Sequence, residues 1–411
     1  MAREVNARAA FWLVMMALAT PLLGVGSTLM TVDPLLVLFW SAAMVVGWRA
    51  VQPKGTLGQW AAVGVFMGLG LLSKYTALMQ LACWAVFFAG WPPARQHLRR
   101  PGPYVALLIL AACSLPMIYW NWQHEWISAK HVVMDNAGLA RAWKPTFRYL
   151  GDFLAQEVGL LNPVFFVAMV WAMIAFWKRK SPLMLYCFSM GAPVFLGYML
   201  YTLRSRVLPN WIAPAILPLF CLAVIYWECR WREGARAVKG WLIAGVALGG
   251  LVVVILHNTN IIAKIAGSPL PPAFDPLRRV RAWNDTAKVV EAARQQLRAE
   301  GKEVFIIGSH YGMVGQLSFY SLEAKAAVSK VPLAYFRTSD HAANQFYFWP
   351  GYREQRRGEN AIFVLETNTP KLPPSTLASE FDSVTDLGIH EIKYRGRVFR
   401  TIQLFACRNL R

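Results

Sequence analysis

The chain has 411 residues, of which 56% are hydrophobic and 18 are tryptophan, and its formal charge is +20. A soluble protein of this length has too little interior for so much apolar material, so part of the chain must face lipid. The acidic residues are unevenly distributed, since residues 1–257 hold eight and residues 258–411 hold fourteen. This shift predicts a membrane domain over 1–257 and a water-soluble domain over 258–411.

Apolar runs that can cross a hydrocarbon core of about 30 Å predict about nine transmembrane helices in the first domain. The runs cover 9–30, 34–51, 59–73, 75–92, 103–120, 158–177, 182–202, 211–227 and 241–257. The third and fourth runs are short, and Ser73, Lys74 and Tyr75 alone separate them. They form either two spans or a re-entrant pair.

Orientation follows from the lysines and arginines between the runs. Connections on the side of the N-terminus carry fourteen of them, whereas the opposite connections carry seven. Because positive loops stay in the cytoplasm, we expect the N-terminus inside and the C-terminal domain outside. These loops account for much of the positive charge, and no basic stripe with interleaved aromatic residues indicates a nucleic-acid partner.

The C-terminal part reads as a small α/β domain behind a proline-rich linker at 268–276. An amphipathic helix is predicted over 278–299 and a second helix over 312–322. Buried strands are predicted over 303–308 and 361–366, and further strands within 382–406. The sequence lacks Gly-x-Gly-x-x-Gly, Walker A and His-Glu-x-x-His motifs, so it supports no cofactor and no divalent metal.

Asp33 is the outer carboxylate with the clearest local pattern. It lies in Thr31-Val-Asp-Pro34, between the first two apolar runs. One interpretation is an N-cap for a helix that begins at Pro34. The other is a carboxylate at the membrane surface that acts as a base or orients one. The remaining outer carboxylates are Glu125, Asp135, Asp152 and Glu157.

Three cations on the positive-depleted side are candidates for binding a lipid phosphate. Lys74 lies at the outer end of a span, where it either extends to the interface or faces the bundle. Arg204 and Arg206 lie on a short outer loop, followed by Asn210. Arginine binds phosphate oxygens in a bidentate manner, so this loop is a candidate phosphate site.

The long outer loop at 121–157 is rich in aromatic residues. Trp122, His124 and Trp126 lie at its start. Such residues either form an interfacial aromatic belt or offer a stacking surface for a sugar ring.

Several of these stretches together resemble the bacterial glycosyltransferases of family 39, of the protein mannosyltransferase and aminoarabinose transferase kind, which have the GT-C fold. The resemblance covers most of the chain and rests on the order and spacing of the motifs. They are Thr31-Val-Asp-Pro-Leu-Leu-Val-Leu-Phe-Trp40, Gly68-Leu-Gly-Leu-Leu-Ser-Lys-Tyr-Thr-Ala77, Arg100-Pro-Gly-Pro103, Trp120-Asn-Trp-Gln-His-Glu-Trp126, Leu208-Pro-Asn-Trp211, Asp275-Pro276, Arg281-Ala-Trp283 and Phe319-Tyr320.

The resemblance implies transfer of a sugar from a polyprenyl-phosphate donor, with inversion, to a lipid, polysaccharide or protein acceptor. The reaction is expected on the periplasmic face of the bacterial inner membrane. It further implies a catalytic role for Asp33 and donor-phosphate binding by Lys74, Arg204 and Arg206. Trp122, His124, Trp126 and Asn210 are expected to line the substrate site.

The sequence departs from the family at its start. Members of the family begin with a further helix and an acidic first outer loop, and both would precede Met1 here. We therefore expect poor or no sugar transfer by the chain as given, and an upstream reading frame that encodes the missing segment. An inactive homologue, and a transporter or scaffold that binds lipid phosphates, are the alternatives.

Overall fold

The computed structural model describes residues 1–131, 145–339, 342 and 344–411. Asp135, one of the outer carboxylates, lies outside the described residues. The chain divides into two compact units, Met1–His257 and Asn258–Arg411.

The first unit is helical throughout its described residues. Its α-helices are α1 (Ala7–Leu18), α2 (Pro21–Gly24), α3 (Val32–Ala50), α4 (Leu57–Ser73), α5 (Met79–Gly90), α6 (Pro101–Gln123), α7 (Ile127–Lys130), α8 (Arg148–Leu160), α9 (Pro163–Ala175), α10 (Pro182–Tyr201), α11 (Ala213–Arg232) and α12 (Ala237–His257). Local signals begin several of them. Thr56 and Gln59 form a capping box at α4, and Ser181 caps α10, which has proline at its first position.

Five helical segments of the described chain are long and apolar enough to cross a membrane. They are Val32–Ala50, Pro101–Gln123, Pro182–Tyr201, Pro209–Arg232 and Ala237–His257. Three bent helix pairs are long and apolar enough when the two helices of each pair are taken as one span. In addition, α4 is a shorter apolar helix. The predicted number of about nine is reached when each bent pair and α4 count as spans, so that number stays a prediction.

Two predicted runs are not continuous helices. The run at 9–30 breaks between Leu18 and Pro21, where the helices on either side meet at 74°. The run at 158–177 breaks between Leu160 and Pro163, with a bend of 113°. Proline has no backbone N–H and clashes with the preceding turn, which explains why each new segment begins at the proline. Both apolar runs therefore contain a sharp bend at a proline.

Close packing of α4 against α6 sets the geometry near Lys74. A Cβ added to Gly64 would lie 2.5 Å from the Ala106 carbonyl oxygen, and one added to Gly68 would lie 2.5 Å from the Cβ of Cys113. Small residues permit such close approach of membrane helices. Gly64 lies against Ala106 and the later Gly68 lies against the later Cys113, so α4 and α6 run parallel. The intervening segment with α5 therefore returns the chain, which favours two spans over a re-entrant pair.

The second unit is a three-layer α/β domain. Its strands are β1 (Val304–Gly308), β2 (Ala334–Phe336), β3 (Asn360–Glu366), β4 (Phe381–Tyr394) and β5 (Arg397–Leu410). Its helices are α13 (Asn260–Ala266), α14 (Trp283–Arg298), α15 (Tyr311–Tyr320), α16 (Leu322–Ala327), α17 (Tyr352–Gln355) and α18 (Ser375–Glu380). The sheet order is β2-β1-β3-β5-β4, with β1 parallel to β2 and β3, and β5 antiparallel to β3 and β4.

Alternate residues of the central strands fill two cores on opposite faces of the sheet. Ile306 and Ile362 pack with α14 and α15, whereas Phe305 and Phe363 pack on the other face. The amphipathic helix begins at Trp283, five residues later than predicted, because Arg278–Val280 forms a separate 3-10 turn. Val280, which lies in this turn, is exposed.

Candidate functional site

Asp33 lies in the first turn of α3. The helix begins at Val32 rather than at Pro34, and Thr31 is its N-cap residue. The expectation that Asp33 caps this helix was therefore wrong. Its side chain is about one-fifth exposed and is held by two residues from distant parts of the chain.

Lys74 makes the first of these contacts. Its Nζ donates to Asp33 Oδ1 at 2.6 Å, and the lysine side chain is itself largely buried. Lys74 follows the last residue of α4 with an extended backbone, so its side chain turns from the helix end toward α3. An ammonium has three N–H donors, and the pair with Asp33 uses one of them. Lys74 faces the bundle, as the phosphate-binding interpretation requires.

Asn210 makes the second contact. Its Nδ2 donates to Asp33 Oδ2 at 2.8 Å, so the two carboxylate oxygens have different partners. The residue lies in the 3-10 turn Pro209–Ile212 that leads into α11. Arg204 and Arg206 precede it in the same connection, with Arg204 half-buried and Arg206 exposed. The structure thus brings three separate motifs together at one end of the unit, which we call the Asp33 end.

The other described outer carboxylates have different surroundings. Glu125 and Asp152 are exposed, and Glu125 has a positive φ of 53°. Glu157 is fully buried in α8, and neither of its oxygens has a hydrogen-bond partner among the described residues. Of these four carboxylates, Asp33 alone is both accessible and held through both oxygens, so its orientation is fixed before a substrate arrives.

The aromatic candidates lie at the end of α6. Since α6 runs parallel to α4, this end corresponds to the Asp33 end. Trp122 is 67% exposed and Trp126 is 46% exposed, whereas His124 stacks on Trp120 at 4.1 Å and contacts the Trp120 carbonyl through Nδ1. Two exposed indole rings are compatible with either a sugar platform or an interfacial belt.

A cavity of about 480 Å³ lies at the opposite end of α4 and α6. Its lining is almost entirely apolar and includes Trp60, Trp84 and Pro103, with Arg95 at its edge. None of the predicted site residues lines it. In the described part of the chain, no three His, Cys, Asp or Glu side chains are close enough together to hold a metal ion.

The pairing within the Asp33 group was not predicted from the sequence. Lys74 was expected to meet a lipid phosphate, and Asn210 was expected to line the substrate site. The structure shows that both hold Asp33. The sequence signal for this group was that Asp33, Lys74 and Asn210 lie in three separate motifs of the family that the chain resembles.

Comparison with known proteins gives relatives of one kind. A family model described as dolichyl-phosphate-mannose-protein mannosyltransferase matches residues 1–120. A lipid A galacturonosyltransferase of Rhizobium johnstonii is 27% identical over 219 residues, which are 53% of this chain and 45% of the relative. An undecaprenyl phosphate-alpha-4-amino-4-deoxy-L-arabinose arabinosyl transferase of Pseudomonas fluorescens is 27% identical over 286 residues, covering 61% and 48%. The chain spans about half the length of these relatives.

The crystal structure of ArnT from Cupriavidus metallidurans bound to undecaprenyl phosphate has a similar fold. The TM-score is 0.58 at 17% sequence identity, and the match covers 98% of this chain and 80% of the other. Apolar helices followed by a sheet-containing unit were expected from the sequence, and this similarity confirms that fold. The family resemblance is confirmed as well, since the family model and both relatives are glycosyltransferases of the kind to which the motifs pointed and the solved structure shares the fold.

Proposed function

We propose that this chain transfers a sugar from a polyprenyl-phosphate donor to an acceptor at the Asp33 end of its helical unit. The observation that carries the proposal is the convergence of Asp33, Lys74 and Asn210, with Lys74 2.6 Å and Asn210 2.8 Å from the carboxylate. The names of the two relatives support a glycosyl transfer. The name of the Pseudomonas fluorescens relative includes undecaprenyl phosphate.

In the proposed reaction, an acceptor hydroxyl attacks the anomeric carbon of the donor. The bond between that carbon and the phosphate oxygen breaks, and the lipid phosphate leaves with the electron pair. Asp33 takes the hydroxyl proton or orients the group that does. Lys74, Arg204 and Arg206 stabilise the negative charge that develops on the phosphate. The exposed rings of Trp122 and Trp126, together with His124 and Asn210, line the sugar and acceptor sites.

The proposal includes an orientation. The helical unit spans the bacterial inner membrane with about nine helices, and the Asp33 end and the unit from Asn258 are periplasmic. The support is the distribution of arginine and lysine, because loops rich in these residues stay in the cytoplasm. In α3, Arg49 lies in the last turn and Asp33 in the first, so the end with Asp33 is opposite the end with the positive charge.

A release assay tests the function directly. The purified chain in proteoliposomes is given a polyprenyl-phosphate donor with a radiolabelled sugar, and membrane extracts supply the acceptor. We expect label to appear in an acceptor fraction at a measurable rate, with release of the unlabelled lipid phosphate, and efficient turnover would contradict the poor transfer expected from the sequence. Donor binding without release of the sugar under any acceptor supply would contradict the enzyme and favour a carrier or scaffold.

A further inference from the structure

The C-terminal unit contains a polar cavity that the proposed transfer reaction does not use. Its volume is about 750 Å³. Four segments contribute its charged and hydrogen-bonding side chains. Arg278 and Arg279 precede α14, and His310 and Gln316 lie at and after the start of α15. Glu366 ends β3, and Arg400 lies near the start of β5. A volume of this size lies within the range of small-molecule sites.

The position of the cavity within the sheet is that of a ligand site. The chain goes from the central strand β1 outward to β2 and then crosses to β3 on the other side of β1. The carboxyl ends of β1 and β3 therefore form a switch point, and ligands of open α/β sheets bind outside such ends. His310 follows β1 and Glu366 ends β3, so both mark this edge.

The charge of the cavity favours an anion. Three arginines line it against the single carboxylate of Glu366. Arg278 and Arg279 are exposed, whereas Arg400 is 93% buried over Trp283, with its guanidinium carbon 3.7 Å from the ring centroid. Arg400 donates to Glu366 at 2.6 Å, but its buried Nε has no partner in the described part of the chain. The ring and the carboxylate thus fix this arginine in the wall, and its charge contributes to the positive field of the cavity.

The start of α15 adds the positive end of a helix dipole at the same place. Tyr311, Gly312 and Met313, at the start of this ten-residue helix, form part of the lining, and Met313 N donates to the carbonyl oxygen of His310 at 3.0 Å. His310 Nδ1 accepts from Gly312 N at 3.1 Å, which puts the ring proton of the neutral imidazole on Nε2. The ring of Tyr311 is 55% exposed and offers an apolar face.

We propose that this cavity binds a phosphate group carried on a sugar or a sugar-like headgroup. Arginines and a helix N-terminus recognise the phosphate oxygens. The volume is much larger than a phosphate ion needs, and the exposed Tyr311 ring can stack on the attached ring. The cavity belongs to the C-terminal unit, whereas the Asp33 group belongs to the helical unit, so binding can be measured without sugar transfer.

Binding to the full chain in nanodiscs of neutral lipid tests the proposal. Glucose 1-phosphate is titrated by calorimetry, and hydrogen exchange is followed over residues 309–316. A second set of nanodiscs contains phosphatidylinositol 4-phosphate, which presents a ring phosphate from the membrane. The test variant is Arg278→Gln/Arg279→Gln, whose side chains are exposed, and the matched control is Arg357→Gln, an exposed arginine outside the cavity.

We expect protection of 309–316 with at least one of the two probes, and a loss of affinity of about tenfold or more in the double variant. The Arg357→Gln variant should bind normally, and glucose without phosphate should not protect. Protection by the soluble probe would identify a free sugar phosphate as ligand, and protection by the lipid alone would identify a headgroup. Absence of protection with both probes, or equal weakening in Arg357→Gln, would overturn the proposal.

Discussion

The contact between Asp33 and Lys74 is the feature on which the proposed chemistry depends most. The pair is partly buried, and removing one partner of such a pair leaves the other with an uncompensated charge. Conservative replacement of a residue that only holds the fold changes stability, whereas replacement of a residue that takes the acceptor proton changes turnover. Stability and turnover are therefore measured separately for variants of Asp33 and of Lys74.

We expect Asp33→Asn to retain the fold, with some loss of stability because Lys74 loses its counter-charge, and to lose turnover by about 100-fold or more. The asparagine retains an oxygen for one of the two partners but cannot accept a proton from a hydroxyl. Turnover in the proteoliposome release assay and thermal unfolding in detergent measure the two effects. Asp152→Asn is the matched control, because Asp152 is an exposed carboxylate. Full activity of Asp33→Asn together with loss in Asp152→Asn would move the base to Asp152.

Lys74→Gln should weaken binding of the donor lipid and lower turnover together. The change removes the cation from Asp33 and from the proposed phosphate site, and a hydrogen bond to a charged group contributes about 1.5–3 kcal/mol. Lys74→Arg keeps the charge and should recover part of the donor affinity. Arg204→Gln and Arg206→Gln should weaken donor binding by a similar amount. Unchanged donor affinity in all three Gln variants would leave these residues as interfacial anchors.

At the scale of elements, the approach of α4 to α6 positions Lys74. Gly68 lies six residues before Lys74 in the same family motif, and an added Cβ would collide with Cys113. A side chain at this position must push the two helices apart, and the displacement reaches the end of α4. The close contact between α4 and α6 thus explains why a glycine stands at this position of the motif, which the sequence pattern alone does not reveal.

We therefore expect Gly68→Ala to lower the free energy of unfolding by about 1–3 kcal/mol, as overpacking does, and to lower turnover as well. The matched control is Gly250→Ala in α12, where an added Cβ meets no atom within 4 Å. That change should be neutral or slightly stabilising, because alanine favours helix. Thermal unfolding and the release assay report the two effects. Equal behaviour of both variants would mean that the α4–α6 contact is looser than described.

At the scale of the whole molecule, the main expectation is the orientation in the membrane. A periplasm-active phosphatase fused after Arg411 should be active, whereas the same reporter fused after Arg179 should not, since positive loops stay inside. A cytoplasm-active fluorescent reporter should give the reverse pattern. Fluorescence from the fusion after Arg411 would contradict the odd number of spans and the periplasmic position of the Asp33 end.

The sequence alone determined the class of the molecule and the family that it resembles. An excess of apolar residues and the motifs around Asp33, Lys74 and Asn210 are visible along the chain, so an apolar helical part, a small α/β part and the GT-C resemblance could be predicted. Short continuous apolar runs likewise predicted β1 and β3 as buried strands, whereas the three-residue strand β2 is too short to show a pattern. The bends of 74° near Pro21 and 113° near Pro163 could not be predicted in size, because a hydropathy run does not record the direction of the chain.

The tertiary structure decided which of these residues meet. Asp33 is 41 positions from Lys74 and 177 from Asn210, and no local pattern determines contacts over such separations. It also decided that Asp33 is not a cap, because the helix begins one residue before it. The cavity between β1, β3 and β5 was equally invisible in the sequence, since its arginines come from segments more than a hundred residues apart that only sheet formation brings together.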